Sequence, residues 1–276
     1  MFARSSLIAA GLAIGLATLV PGKAEAHRRW LLPSATVLSG DTGLVTVDAA
    51  SSNGLFIFEH HAMQLNDLKV TGPDGQPVEP KIIGAGEYRS VFDVPLKQQG
   101  TYRIAVASDG AMGFYELNGQ RQRQRVRGAT VAEAQASVPE GATNVRITES
   151  SQRVETFTTL GAPNDVALKA TGRGLEMVPV THPNDLAAGE PAQVQFLLDG
   201  KPAAGLEVEF VEGGTRYRDD AGIKTLTTDA NGKVELNAAE PGMYYVEASA
   251  SSGGSEGATA PQRRASYTAV LEFLPL

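Results

Sequence analysis

The sequence has no cysteine and, in 276 residues, only four histidines and one tryptophan. Without cysteine the chain cannot form disulfides, so an exported form has to be held together by its apolar cores. A metal site would have to use histidine, carboxylate, methionine, backbone groups or the terminal amine. The four histidines are therefore the first residues to consider as metal ligands.

An excess of positive charge is also missing. Without residues 1–26, which contain two basic residues and one acidic residue, the chain has 22 basic and 30 acidic residues and a net charge of −8. An acidic chain repels phosphate backbones and anionic lipid surfaces. We therefore expect no nucleic-acid partner.

The motifs of several common enzyme classes are missing as well. The sequence has no phosphate-binding loop, no dinucleotide fingerprint and no HExxH zinc motif. The segment GGSEG around Ser255 matches the nucleophile pattern G-x-S-x-G, but that motif needs a strand before it and a helix after it, and both flanks here are typical of loops. The sequence therefore favours a protein without enzymatic activity.

Residues 1–26 have the features of a signal peptide. Arg4 gives a short positive region, an apolar run of 14 residues follows at 7–20, and Ala24-Glu25-Ala26 is a small-x-small cleavage site. The run is shorter than the roughly 20 residues that span a bilayer, and no later segment is apolar enough to do so. We expect cleavage after Ala26 and a periplasmic or secreted protein that begins at His27.

Short runs of strand-forming residues, separated by turn residues, dominate the rest of the chain. One set lies at 43–49, 55–61, 68–72, 88–94 and 100–108, and a second set at 167–172, 175–180, 192–200, 206–213, 224–237, 242–249 and 265–276. Closely spaced strands of this kind are typical of antiparallel sandwiches. We predict an all-β protein with two antiparallel β-sandwich domains, at 27–110 and 161–276.

The C-terminal domain contains three more specific signals. The segment Asp-Ala-Asn-Gly at 229–232 predicts a hairpin turn. Tyr244 and Tyr245 should point to opposite faces of one strand, with one ring in the core and the other near an edge. The segment 249–264 is rich in Gly and Ser and is expected to form a mobile loop between the last two strands.

A connector at 111–160 interrupts the strand pattern. It begins with a basic stretch that we interpret as a solvated hairpin, although an anion-binding patch stays possible: Arg121, Arg123, Arg125 and Arg127. A short helix should follow at 130–139, with Thr130 as N-cap and Glu133 as its capping-box partner.

Several segments together resemble domain-of-unknown-function family 4198, a group of exported bacterial proteins associated with nickel uptake. The resemblance rests on AHRRWLLPSATVLSGDTGLVTVDAASSN (26–53), YRSVFDV (88–94), RVETFTTLGAPN (153–164), GLEMVPVTHPNDLAAGE (174–190), GKPAAGLEVEF (200–210) and TTDANGKVEL (227–236). It covers nearly the whole mature chain. It implies an Ig-like or transthyretin-like β fold, a periplasmic location and a role in handling a divalent transition metal.

His27 is the strongest candidate ligand. After cleavage at Ala26, its α-amine and ring could chelate one ion together, and a second histidine would complete a nitrogen set suited to Cu(II) or Ni(II). A free α-amine titrates near 7.7–8.0, so a metal can displace its proton at physiological pH. The alternatives are a frayed terminus that binds nothing and a cleavage site shifted by one residue.

The other three histidines are weaker candidates. His60 and His61 end a predicted strand, where neighbouring side chains point to opposite faces, so only one would join a site unless the chain bends. Met63 is close enough in sequence to form a soft His-His-x-Met cluster; the alternative is a strand-end pair that is solvated or hydrogen-bonded at the rim. His182 precedes a proline, which holds it extended, and it either faces the other histidines or caps a local turn.

Three functions are consistent with these residues. The first is a periplasmic protein that binds or delivers a divalent transition metal to a membrane uptake transporter, with nickel or cobalt implied by the resemblance and copper by the ligand chemistry. The second is a metal-free Ig-like envelope module that binds a protein or glycan. The third is a copper oxidase with a histidine brace, an analogy that rests only on the terminal histidine and the β fold. We expect the first.

Overall fold

The computed structural model describes residues 27–127, 130–252 and 262–276. The first half contains ten strands and a short helix: β1 (Arg28–Pro33), β2 (Val37–Leu38), β3 (Gly43–Ser52), β4 (His61–Ala62), β5 (Leu68–Thr71), β6 (Pro77–Val78), β7 (Lys81–Ala85), β8 (Ser90–Leu96), β9 (Gly100–Leu117), β10 (Gln120–Arg127) and α1 (Val131–Ala136).

The second half of the described chain adds a long strand and eight more: β11 (Thr143–Leu160), β12 (Leu175–Pro179), β13 (Pro191–Leu198), β14 (Lys201–Pro202), β15 (Glu207–Glu212), β16 (Lys224–Thr227), β17 (Lys233–Asn237), β18 (Gly242–Ser252) and β19 (Gln262–Phe273). Two single turns of 3-10 helix lie at Val166–Leu168 and Thr215–Tyr217. No helix among the described residues is long and apolar enough to cross a membrane.

The strands form three sheets. The first sheet has the order β1-β3-β8-β7, with β4 on β3. The central sheet has the order β16-β15-β18-β19-β11-β9-β5-β6, with β10 on β9 and β2 on β11, and the third sheet has the order β12-β13-β14, with β17 on β13. Most pairs are antiparallel, while β11 is parallel to β19 and β2. The predicted all-β fold of antiparallel sheets is confirmed.

The first and third sheets cover opposite faces of the central sheet. Along β11, Val154 belongs to the apolar core under the first sheet, whereas Phe157 belongs to the core under the third sheet. Residues an odd number of positions apart on a strand point to opposite faces. The central sheet is therefore a middle layer that is buried on both sides where the two halves of the chain meet.

Three apolar clusters hold these layers together. The core under the first sheet contains Phe92, Tyr102 and Ile104, and the core under the third sheet is built on the aromatic residues Phe157, Phe196, Phe210, Tyr244, Tyr267 and Phe273. A smaller cluster joins Trp30 and Leu55 to Val211, Tyr245 and Val270 of the central sheet. Each large side chain buried in this way contributes about 1.5–3 kcal/mol, which a chain without disulfides requires.

The central sheet combines strands from both predicted domains and from the predicted connector. β9 crosses the expected boundary near residue 110, and β11 lies inside the predicted connector but pairs with β9 and β19. Both strands have 18 residues. One sheet thus runs through all three predicted parts. The division into 27–110, 111–160 and 161–276 stays a prediction.

The predicted strand at 167–172 is wrong. Val166–Leu168 is a 3-10 turn in which Ala167 and Leu168 are buried. The guanidinium of Arg103, itself buried in β9, donates hydrogen bonds to the carbonyl oxygens of Ala167 and Lys169. The Arg103 side chain thus donates the hydrogen bonds that the backbone of a neighbouring strand would otherwise donate to these carbonyls.

The predicted hairpin at 229–232 is also wrong, although the turn is present. Asp229 accepts hydrogen bonds through Oδ1 from the amides of Asn231 and Lys233, at 2.8 Å each. The flanking strands do not pair with each other: β16 pairs with β15 in the central sheet and β17 with β13 in the third sheet. The turn therefore connects two sheets.

The expectation that one of Tyr244 and Tyr245 lies near an edge is corrected. The rings do belong to opposite faces, but Tyr244 is buried in the core under the third sheet and Tyr245 in the Trp30 cluster. Both are at most 2% exposed, because the central sheet is covered on both faces at this point.

The predicted loop at 249–264 is shorter than expected, since β18 extends to Ser252 and β19 begins at Gln262. The remainder, 253–261 with Ser255, lies outside the described residues, as do 1–26.

In the connector, β9 and β10 form a hairpin through Asn118 and Gly119, both at positive φ. The capping box of Thr130 and Glu133 is present on α1. The side chains of Arg121, Arg123, Arg125 and Arg127 lie outside the described part.

Candidate metal centre

Most of the segment predicted as a strand at 55–61 belongs to a loop, 53–60, that packs on Trp30, and only His61 lies in a strand, β4. Phe56 has a φ of 58° in the left-handed region, and the amide of Ile57 donates to the carbonyl of Gly54 at 3.1 Å. The rings of Phe56 and Phe58 lie 5.7 and 6.1 Å from that of Trp30. The apolar residues that suggested a strand are therefore anchors for a turn.

Two contacts fix this loop against the body of the protein. Trp30 is completely buried in β1, and the guanidinium carbon of Arg89 lies 5.0 Å from the centre of the Phe58 ring. Burial of aromatic rings and a cation over a ring face both favour one loop conformation. The loop therefore holds its C-terminal end, at His60 and His61, in a defined place.

His27, His60 and His61 lie together, and we call them the histidine cluster. The ring centres of His27 and His60 are 3.8 Å apart with the planes at 14°, and those of His60 and His61 are 4.6 Å apart. His27 and His61 are 6.0 Å apart. Strand pairing in the first sheet brings the histidines together. Arg28, the neighbour of His27, pairs with Ser52 of β3, and His61 pairs with the adjacent Ser51.

The cluster changes the protonation of His61. Partial burial lowers the pKa of His61 below its ordinary value, and the neighbouring His60, His27 and Arg29 lower that pKa further. At neutral pH His61 is therefore mostly uncharged, with a ring lone pair available to a metal ion. All three histidines are exposed at the surface.

The side chains of the histidine cluster do not form a metal site on their own. In the described ranges, no group of three His, Cys, Asp or Glu side chains is arranged to hold a metal ion, and the stacked rings of His27 and His60 do not converge on one point. If the chain is cleaved after Ala26, as the sequence predicts, two imidazoles and the amine of His27 would form a nitrogen set that suits Ni(II) or Cu(II). Ligation would require a ring to turn, which the exposure of the cluster permits.

His182 lies outside the histidine cluster. Its Nε2 is 2.9 Å from Thr101 Oγ1, and its Nδ1 accepts a hydrogen bond from the amide of Asn184 at 3.2 Å. Both ring nitrogens are thus engaged in a polar network between β9, β11 and the turn after β12. The geometry favours a structural role for this histidine.

Met63 does not join the histidines. Its side chain is 7% exposed and packs in the core under the first sheet, and its amide donates to the carbonyl of Ala49 at 3.3 Å. The expected His-His-x-Met cluster therefore does not form, because β4 turns the chain inward after His61.

A charged contact next to the histidine cluster escaped the sequence reasoning. Arg28 Nη2 lies 2.9 Å from Glu209 Oε2, and Arg28 Nη1 lies 3.3 Å from Glu247 Oε2. The partners are 181 and 219 residues away along the chain, so no local pattern could link them. Burial and the charge of Glu209 raise the pKa of Glu247, and Arg28 opposes this shift.

These features define an all-β protein with an exposed histidine cluster at the start of its first described strand. The chain belongs to the family described as Domain of unknown function (DUF4198), whose model matches residues 24–252. The family predicted from the sequence is thereby confirmed. No curated protein matches the chain at a significant level.

Several solved structures are similar over most of the chain. The D0-D1 domain of intimin is 14% identical, with 88% of this chain and 97% of that chain covered and a TM-score of 0.20. Trypsin-activated alpha-2-macroglobulin from Escherichia coli is 12% identical, with 91% and 16% covered and a TM-score of 0.22. The ectodomain of mouse nectin-like molecule 4 is 9% identical, with 91% and 65% covered and a TM-score of 0.22. These scores are too low to support an inference about this chain.

Proposed function

We propose that the mature chain is a periplasmic protein that binds a divalent transition metal and delivers it to a membrane uptake system. Export and cleavage after Ala26 would make His27 the first residue. Its amine and ring would then bind the ion together with His60 or His61. Nickel or cobalt is the cargo implied by the sequence resemblance, and copper fits the same ligands.

The observation that carries this proposal is the meeting of three exposed histidines from two separate segments. The ring centres of His27, His60 and His61 lie within 6.0 Å of one another. Exposed imidazoles at a chain end have little effect on folding, but they are the commonest side-chain metal ligands. An exposed site also suits a protein that must pass its ion to a partner.

The chemistry of the site is proton displacement followed by nitrogen ligation. The lowered pKa of His61 leaves its ring mostly uncharged at neutral pH, so the metal meets little competition from a proton there. The α-amine, which titrates near 7.7–8.0 when unperturbed, has to lose its proton on binding. Affinity should therefore rise with pH through that range.

The test is a metal titration of the exported mature protein, followed through the fluorescence of Trp30. This residue is the single tryptophan of the chain and lies three positions from His27. His27→Ala should weaken binding by at least about 100-fold, or ~2.8 kcal/mol. His60→Ala and His61→Ala identify the second ligand, and one of them should give a comparable loss.

Asn53→Ala is the matched control, since Asn53 is exposed in the same loop and carries no imidazole. Its affinity should equal that of the unchanged protein. Full affinity in all three histidine variants would overturn the proposal. Failure of the unchanged protein to bind any of Ni(II), Co(II), Cu(II) or Zn(II) would favour the metal-free envelope module. Metal-dependent production of peroxide would favour the copper oxidase.

A further inference from the structure

We infer that Arg28, held between Glu209 and Glu247, is a positioning residue that places His27 in the histidine cluster. The inference rests on the proposed function, in which His27 binds the metal. The contacts of Arg28 that support it do not depend on a metal. Nothing in the alternation of strand residues requires an arginine at this position.

The contact is a two-sided ion pair in a partly buried setting. Arg28 reaches Glu209 of β15 at 2.9 Å and Glu247 of β18 at 3.3 Å, and its side chain is 17% exposed. Its guanidinium carbon lies 5.5 Å from the centre of the Tyr245 ring, which is completely buried. A guanidinium that bridges two carboxylates and stacks on a ring has little freedom to move.

The contact acts on His27 because only one peptide bond separates the two residues. The first residues of a chain fray unless a side chain or backbone group ties them down. Arg28 is the first residue of β1, and Trp30 anchors the same strand two positions further on. The first metal-binding residue would therefore project from a point that is fixed to the central sheet.

This arrangement links the site to the far end of the chain. The two carboxylates belong to β15 and β18 in the second half of the central sheet, whereas His60 and His61 are carried by the loop that packs on Trp30. The C-terminal half would thus hold one ligand in place while the N-terminal half holds the others.

Three variants of the mature protein test the inference. Arg28→Met removes both ion pairs, and the double variant Glu209→Gln/Glu247→Gln removes them from the other side with almost unchanged shape. Arg173→Met is the control, because Arg173 forms an exposed ion pair with Asp109, with side chains 76% and 55% exposed.

The first readout is the NMR order parameter of the His27 ring in metal-free protein, which no loss of metal binding can affect. It should fall below about 0.6, the range of flexible groups, in Arg28→Met and in the glutamine double variant. The control should match the unchanged protein. An ordered His27 ring in both test variants would overturn the inference.

The second readout is the affinity for Ni(II) and Cu(II), measured at a temperature where thermal unfolding shows every variant to be folded. Arg28→Met should bind about 10-fold more weakly, and Arg28→Lys should recover part of this loss. If the unchanged protein binds no metal and its His27 ring still loses order in the variants, the proposed function fails and the positioning role stands. Unchanged affinity in folded test variants of a metal-binding protein would contradict the positioning role.

Discussion

The histidines of this protein have different surroundings. His182 differs from the histidine cluster because both of its ring nitrogens form hydrogen bonds. Its Nδ1 accepts from the amide of Asn184, so Nε2 carries the ring proton and donates to Thr101 Oγ1. The network continues from Thr101 to Thr159 at 3.0 Å and from Thr159 to Asn184 Oδ1 at 2.9 Å. With these donors and acceptors, the hydroxyl protons of Thr101 and Thr159 both have an acceptor. A histidine in such a complete network typically has a structural role.

His182→Ala should therefore lower the free energy of unfolding by about 1–3 kcal/mol, because it removes the donor to the buried Thr101 hydroxyl and the acceptor of the Asn184 amide. Metal affinity should not change. Urea denaturation and a Ni(II) titration of the same preparation measure both quantities. A loss of metal binding without a loss of stability would show that His182 is a ligand.

The sequence predicted the four histidines as candidates but could not show which ones meet. His27 could be chosen because its place beside the predicted cleavage site is visible in the sequence. The partnership of His27 with His60 and His61 depends on strand register, which sets Arg28 and His61 beside neighbouring residues of β3. Register is a property of the folded sheet, so the residues alone left this point open.

Among the elements, the loop at 53–60 has the greatest effect on the site. Its run of strand-forming residues predicts a strand, but the aromatic rings contact Trp30 and the chain turns at Phe56. A short apolar run indicates only that its side chains are buried, and a loop with two anchoring rings produces the same run. The turn at 229–232 shows the related limit, since local residues predict a turn but not the sheets that it connects.

Phe58→Ala tests the importance of this loop. Loss of the ring removes the contacts with Trp30 and Arg89, and because the side chain is only partly buried the free energy of unfolding should fall by about 1–3 kcal/mol. Metal affinity should fall too, since the loop no longer holds His60 and His61. Thermal unfolding and a metal titration measure the two effects.

Leu44→Ala is the control for that experiment, because Leu44 belongs to the first sheet but is 57% exposed. It should leave both stability and metal affinity nearly unchanged. Full metal affinity in Phe58→Ala would mean that the histidines keep their places without the aromatic anchor.

At the scale of the whole molecule, the central sheet joins the two halves of the chain into one layered structure. The alternation of strands and turns predicted the all-β class, and it could not predict that β9 and β11 extend to 18 residues each. Their continuity depends on pairing across the chain, as in the parallel contact of β11 with β19.

The shared sheet predicts cooperative unfolding. Trp30 packs against Val211, Tyr245 and Val270 of the second half, so its fluorescence reports contacts between the halves. Urea unfolding followed by Trp30 fluorescence and by far-ultraviolet circular dichroism should give coincident transitions. Two separate transitions would instead support independent domains with the boundaries expected from the sequence.

An ion pair between the central and third sheets predicts a dependence on pH. Arg263 Nη2 of β19 donates to Asp199 Oδ1 at 2.6 Å, and this bond lowers the pKa of Asp199 below its ordinary value of 3.8. A lowered carboxyl pKa contributes stability that is present above pH 3.8 and is lost as the pH falls through the folded-state pKa. Asp199→Asn should thus cost about 1 kcal/mol at pH 7, since both side chains are partly exposed.

Denaturation of the two proteins at several pH values checks this prediction. The difference in the free energy of unfolding should shrink as the pH falls below 3.8. A difference that stays constant down to the lowest accessible pH would show that the hydrogen bond to Asp199, and not its charge, stabilises the contact.

The most direct test of the central claim is the metal affinity of the chain with and without one alanine added before His27. Both forms keep every side chain, and intact-mass spectrometry confirms each first residue. We predict stoichiometric binding of Ni(II) or Cu(II) by the form that begins at His27, and affinity at least about 100-fold lower in the extended form. Equal affinity in the two forms would contradict a metal centre built on the terminal amine.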